Sequence, residues 1–374
     1  MQTDERFMRR ALELAALGLG RTSPNPAVGA VVVRAGEIVG EGYHQRAGEP
    51  HAEPIALAQA GELARRADLY VTLEPCCHFG RTGPCTEAII AAGIARVFYA
   101  CDDPDPRCAG AGEAELQNAG LAVCHGPLTA EARKLNEAYF KHKRSGKPFV
   151  TLKLACTLDG MIATSAGDSH WVTGEQARRR VHQWRNEYDA VMVGIGTVLR
   201  DNPALTCRLD SGSRRDPVRI VIDADAQTPL AAEVLLRGEA KCLIAVGDGV
   251  SEERVEALEA AGADVLTIPR DRPTTTGGRG SNLDFSALLR ALGDRGIMSV
   301  LCEGGAGLAG TMLHAGAVDK LRFFYAPKII GRSGLSAVGE LGIENMTDAL
   351  LFDITHTETV GEDLLVEAYR RVPH

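Results

Sequence analysis

The sequence lacks three features that would put it in a special class. No hydrophobic run is long enough to read as a membrane-spanning helix. Basic residues are not in excess: Lys plus Arg number 41 against 49 for Asp plus Glu, a formal charge of -8. This dispersed acidic balance argues against nucleic acid or an acidic membrane as partner, while leaving room for a local basic pocket around a small phosphate. Cysteine, at ten in 374 residues, is too sparse for a disulfide scaffold. An internal repeat is missing as well. The opening stretch MQTDERFMRRALELAALGLG puts charge before apolar residues, as a secretory signal does. Its apolar residues recur at helical spacing with acidic interruptions, and no small-residue cleavage site follows, so it reads as the first helix of a cytoplasmic domain.

What is present is an ordinary globular composition, 45% hydrophobic and 24% charged, in a chain long enough for two domains. The first stretch alternates helix (6–17, 51–60, 86–92, 112–119, 130–141) with strand (28–34, 69–73, 94–99 and near Val123). The polar KRSGKP segment then marks a boundary, giving domains 1–146 and 147–374. Beyond it, apolar β-prone runs such as FVTLKLACTLDGMIA, YDAVMVGIGTVL, VRIVIDA and KCLIAVGD predict strands. Helices are expected near 174–186, in SEERVEALEAAGA, near 285–292 and after GGAGLAG, with closing strands near 299–303, 319–325 and 362–370. Both halves therefore predict an α/β fold, a sheet covered by helices.

Seven cysteines are scattered and read as small buried residues. Cys76, Cys77 and Cys85 cluster in EPCCHFGRTGPC, a stretch that follows PHAE with its His51 and Glu53. A catalytic zinc takes three protein ligands and keeps a fourth position for water. His51, Cys76 and Cys85 could supply the three, with Cys77 and His78 as rival ligands. Glu53 is then placed to move protons between that water and a leaving nitrogen. The usual nucleobase-deaminase spacing is H-x-E with P-C-x-x-C, whereas a long insert separates Cys76 from Cys85 here. A capped helix and a structural zinc site are the plainer readings of the two pieces taken singly.

The stretches TSPNPAVGAVVV, GYHQRAGEPHAE, TLEPCCHFGRTGPC and DDPDPRCAGAG together resemble the deaminase domain of the bifunctional riboflavin-biosynthesis deaminase and reductase family, in which the cysteine spacing is long. The resemblance implies a cytidine-deaminase-like three-layer domain with His51, Cys76 and Cys85 on zinc and Glu53 as proton shuttle. Asn25 and His44 would line a pyrimidine pocket, and Arg81 and Thr82 would meet substrate in the cysteine loop. One position departs: Asp105 stands where the family usually has Asn.

In the second half, VGIGTVLRDNP and CEGGAGLAG place glycines where a phosphate could approach, yet neither matches G-x-G-x-x-G. TLKLACTLDGMIAT, GDSHWVTG, HQWRNEYDAVMVGIGTVLRDNPALTCR and LCEGGAGLAG resemble the reductase domain of the same family. That implies a dihydrofolate-reductase-like α/β domain using NADPH, with hydride delivered to C1 of the ribose. Ser169, Arg185, Leu205, Arg208 and Glu303 would contact substrate. Ala155, Trp171, Thr197, Asp201 and the loop of Gly305, Ala306, Gly307, Leu308, Ala309, Gly310 and Thr311 would contact NADPH. Asp201, taken as a residue of a loop after a strand, is the expected acid or orienting group, and Lys153 the alternative. Asn202 and Ala224 depart from the family's frequent Asp and Ser. Trp171 reads equally as a lid on the cofactor or as core filling. The partners implied are small pyrimidine ribotides and a second copy of the chain, with the reductase half as the interface. A tRNA or nucleoside deaminase and a zinc-stabilised assembly module are the competing readings.

Overall fold

The computed structural model describes residues 2–80, 83–210, 214–271 and 282–371. Arg81 and Thr82, expected at the substrate, lie outside the described residues. The chain forms two compact units, Met1–Lys147 and Pro148–His374. No helix among the described residues is long and apolar enough to cross a membrane.

The first unit runs α1 (Gln2–Ala16), β1 (Gly29–Arg34), β2 (Glu37–Tyr43), α2 (Ala52–Ala60), β3 (Asp68–Val71), α3 (Cys85–Ala91), β4 (Arg96–Tyr99), α4 (Ala111–Asn118), β5 (Ala122–His125), α5 (Thr129–Leu135) and α6 (Glu137–Ser145). The sheet order is β2-β1-β3-β4-β5. β1 is antiparallel to β2 and β3, and β3, β4 and β5 are parallel. The expected single helix over 130–141 is two helices, α5 and α6, meeting at Asn136.

Small residues set how closely the helices approach. A Cβ at Gly29 would collide with the Ala11 carbonyl of α1, and a Cβ at Gly40 or Gly42 with the Ala56 or Ala52 carbonyl of α2. Gly42 pairs with Ala30, the neighbour of Gly29 on β1, so α1 and α2 cover opposite faces of the sheet. The two glycines and the charged residues of EIVGEGY hid β2 from its sequence, because neither favours a strand. Since α2 carries His51 and Glu53 at its start, Gly42→Ala is expected to destabilise the unit by about 1–3 kcal/mol. Thermal unfolding, with zinc content measured alongside, checks this.

The second unit runs β6 (Phe149–Thr157), β7 (Met161–Ala163), α7 (Glu175–Glu187), β8 (Ala190–Gly194), α8 (Ile195–Asp201), β9 (Val218–Ile222), α9 (Glu233–Leu236) and β10 (Cys242–Gly247). It continues through α10 (Glu252–Ala260), β11 (Ala263–Ile268), α11 (Phe285–Asp294), β12 (Ser299–Cys302), α12 (Ala306–His314), β13 (Lys320–Ala326), β14 (Leu335–Ser336), β15 (Phe352–Val360) and β16 (Asp363–Arg370). Nine strands form one sheet in the order β11-β10-β9-β8-β12-β6-β13-β16-β15, parallel as far as β13 and antiparallel beyond.

The parallel strands bury both faces, which is why they read as continuous apolar runs. On β8, Ala190 and Met192 join one core cluster while Val191 and Val193 join the other. Two stretches correct the sequence reading. YDAVMVGIGTVL is not all strand, for the chain turns at Gly194 into α8, so Asp201 ends a helix instead of lying in a loop after a strand. GGAGLAG does not precede the next helix but starts it, with Gly305 as the cap of α12. β15, with mostly exposed side chains at the sheet edge, carries no apolar pattern and was not anticipated.

Candidate active sites

The first site is built on two helix starts and one loop. His51 caps α2 with extended backbone, Glu53 lies in its first turn, and Cys85 opens α3. Cys76 follows β3, its carbonyl accepting from the Thr86 N–H at 3.2 Å and its sulfur from the Cys85 N–H at 3.4 Å. Behind it the buried Glu74 carboxylate accepts the backbone N–H groups of Gly110, Gly112 and Glu113 at 3.1–3.2 Å, which fixes the loop into α4 beneath the cysteines.

His51 Nδ1 lies 3.3 Å from Cys85 Sγ and 3.5 Å from Cys76 Sγ, and the three ligand atoms are all within 4.8 Å of one another. The rivals point elsewhere: Cys77 Sγ donates to the Arg107 carbonyl at 3.7 Å, and His78 Nδ1 meets Cys108 Sγ at 3.2 Å. Hydrogen bonding from Cys85 and His51 outweighs burial and holds the Cys76 thiol well below its usual range, while the hydrogen bond shared with Cys76 and burial push Cys85 up. Burial pushes the Glu53 carboxyl up to about 7. Cys76→Ser is expected to lose zinc and Cys77→Ser to retain it, as measured by metal content of purified protein.

Asn25 and His44 meet beside the triad. Burial lowers the His44 pKa, favouring the neutral ring; its Nδ1 then donates to the Pro50 carbonyl at 3.0 Å, so Nε2 accepts from Asn25 Nδ2 at 3.1 Å. The His44 ring stands edge-on to His51, 5.1 Å between centroids. These groups and Glu53 line a cavity of about 110 Å³.

The second site lies at the carboxyl ends of β8, β9 and β12 and along β6, the place where open parallel sheets bind ligands. Its cavity measures about 870 Å³, within the range of sites for small molecules and cofactors. At one end a part-buried ion pair joins α7 to the end of β12: Arg185 Nε to Glu303 Oε1 at 2.7 Å and Nη2 to Oε2 at 3.0 Å. Burial raises the Glu303 pKa, but the Arg185 guanidinium overcomes it and holds the carboxyl below its usual range. Lys153 of β6 lines the same cavity. Burial, aided by Arg185 and opposed by Glu303, lowers its pKa.

Ser169, Arg208, Ala155, Trp171, Thr197, Asp201, Gly305, Ala306, Gly307 and Leu308 line this cavity. Leu205 does not: its side chain is 4% exposed and packs into the core with Val191 and Val221. Nor do Ala309, Gly310 and Thr311, which follow on α12 instead of extending a loop. Ala309 and Gly310 are buried, and the Thr311 hydroxyl donates to the Gly307 carbonyl at 2.9 Å. Trp171 is not core filling; it is 60% exposed, with the Arg178 guanidinium 4.6 Å from its ring centre. Arg178 and His182 were missed, although with Arg185 they recur at i, i+4 and i+7 on one face of α7. His182 Nδ1 accepts the Arg208 N–H at 3.2 Å, and burial together with Arg185 and Arg208 lowers its pKa to about 4.

Comparison with known proteins covers both units. Residues 148–366 match the family model "RibD C-terminal domain", and residues 1–101 match "Cytidine and deoxycytidylate deaminase zinc-binding region". The chain is 44% identical over 365 residues to the riboflavin biosynthesis protein RibD of Aquifex aeolicus, covering 98% of both chains. It is 43% identical over 373 residues to that of Escherichia coli, covering 96% of this chain and 98% of the other. Among solved structures, RibD of Acinetobacter baumannii matches with a TM-score of 0.86 at 36% identity, over 99% of both chains. The Thermotoga maritima diaminohydroxyphosphoribosylaminopyrimidine deaminase/5-amino-6-(5-phosphoribosylamino)uracil reductase matches with a TM-score of 0.85 at 37% identity, again over 99% of both. With a cytidine-deaminase-like first unit and a reductase second unit, this chain belongs to the RibD family of bifunctional riboflavin-biosynthesis enzymes.

Proposed function

We propose that the first unit hydrolytically deaminates a diaminopyrimidinone ribotide and that the second reduces the ribosyl group of the resulting aminouracil ribotide to ribityl with NADPH. The observation that carries the deaminase half is the His51, Cys76 and Cys85 triad beside buried Glu53. One imidazole nitrogen and two thiols, mutually within 4.8 Å, fit a catalytic zinc with its fourth position free. Bound there, zinc supplies Lewis-acid activation of a water. Glu53 would move protons from the attacking water to the leaving nitrogen, so that the ring carbon exchanges amino for oxo and ammonia departs. Asn25, held by His44, supplies an amide to read the edge of the pyrimidine.

For the reductase half, the second cavity fits a dinucleotide. Positions Gly196 and Gly307 face open space, and Gly305 caps α12, so backbone N–H groups can approach a pyrophosphate. NADPH, when bound, supplies the hydride. Lys153, more than Asp201, is placed to move a proton as the sugar ring opens, because it lies half-buried beside the Arg185–Glu303 pair whereas Asp201 is exposed at the end of α8. Titration with NADPH is expected to quench Trp171 fluorescence, and Trp171→Phe to lose most of that response. A wild-type protein giving no response contradicts the cofactor reading.

A homodimer through the second unit belongs to the same reading. β15 ends the sheet, pairs on its outer side with no strand among the described residues, and presents Ile354 at 67% exposure near Leu351. Ile354→Lys is expected to shift sedimentation from dimer to monomer. A cytoplasmic enzyme whose partners are pyrimidine ribotides, not nucleic acid or membrane, completes this reading and rests on the acidic charge and the family.

A further inference from the structure

A second charged cluster lies on the wall of the first cavity, apart from the zinc ligands. The Asp105 side chain, in the loop after β4, is 7% exposed, and two cations close on it. Arg107 Nε donates to Oδ1 at 3.0 Å and Nη2 to Oδ2 at 2.6 Å. Lys143 of α6 donates from Nζ to Oδ2 at 3.0 Å. The Arg107 backbone N–H also reaches Oδ1, at 3.1 Å. Asp105, Arg107 and Lys143 line the same cavity as His51 and Glu53.

Charge and donors are left over in this arrangement. Asp105, Arg107 and Lys143 together carry one net positive charge; Asp103 lines the same cavity, and burial raises the pKa of its carboxyl. Asp105 uses Nε and Nη2 of Arg107 and one hydrogen of Lys143, which leaves Nη1 and two ammonium hydrogens for another acceptor. Neither cation is free to swing away. Arg107 is held in a two-point fork, and Lys143 stands 5.5 Å from the ring centre of Tyr139, itself fixed by a 2.9 Å hydrogen bond to Asp103. The Arg107 side chain is 63% exposed and that of Lys143 26%, so the donors reach the rim of the cavity, within reach of an entering ligand. A phosphomonoester is the part of a ribotide that suits two fixed cations with unused donors.

We propose that Arg107 and Lys143, oriented by Asp105, bind the ribose phosphate of the deaminase substrate. Asp105 is a positioning residue, and its charge in place of the family's Asn is the feature that gathers the two cations. This rests on the deaminase reading of the first unit, and the test separates the two.

The test compares deamination of the ribotide with that of the matching dephosphorylated riboside, in wild type and in the Arg107→Gln/Lys143→Gln double variant. The preference for ribotide over riboside is expected to fall about a hundredfold, roughly tenfold for each charge-assisted contact, mainly through KM. Zinc content is expected to stay unchanged. Inorganic phosphate is expected to inhibit the wild type competitively and to lose that effect in the variant. The proposal is overturned if a folded, zinc-loaded variant keeps the wild-type preference, or if both substrates decline together. A wild type that turns over neither compound overturns the deaminase reading and this proposal with it.

Discussion

Glu53→Gln is expected to lower deamination by about a thousandfold, within the range for loss of a positioned acid–base group, while leaving reduction of an already deaminated substrate intact. The substitution keeps the shape of the side chain and removes the carboxyl's charge and its ability to carry a proton. It suits this site because Glu53 is 3% exposed and no bulk water stands ready to replace it. Zinc should be retained, since His51, Cys76 and Cys85 are untouched. Deamination near the wild-type rate in a zinc-loaded variant would show that another group moves the proton.

Lys153→Met is expected to lower reduction by about a hundredfold or more with NADPH affinity preserved, whereas Asp201→Asn changes it by less than about tenfold. The methionine keeps an unbranched side chain and leaves the Arg185–Glu303 pair whole. The converse choice, Arg185→Met, would leave the part-buried Glu303 carboxylate without its guanidinium partner and cost stability, confounding the kinetics. Single-turnover reduction with preloaded cofactor separates the chemical step from binding. A Lys153→Met enzyme that reduces normally returns the proton-moving role to Asp201 or Glu303.

How much of this was legible in the sequence follows from how far apart the cooperating residues lie. His51 and Glu53 announce themselves because two positions on one helix start carry both functions, and the cysteine cluster supplies the rest from a single loop. Lys153, Arg185 and Glu303 come from β6, α7 and the end of β12, and meet only because β12 is inserted beside β6 in the sheet order. Local pattern cannot show that juxtaposition. β2 was hidden because Gly40 and Gly42, which make it poor as a strand, are what allow α2 to close on it. Leu205 was expected at the substrate from the family resemblance, yet the backbone there turns through a positive φ of 55° and sends the side chain into the core. The local sequence around Asp105 could not show Lys143, which reaches it from 38 residues away.

The most direct test of the central claim, that one chain performs two consecutive reactions, is mass spectrometry of the products formed from the diaminopyrimidinone ribotide, first without NADPH and then with it. The expected result is exchange of one amino group for oxygen in the absence of NADPH, followed by gain of two hydrogens in its presence. Folded, zinc-loaded protein that yields neither product would contradict both activities, and reduction without prior deamination would contradict their order.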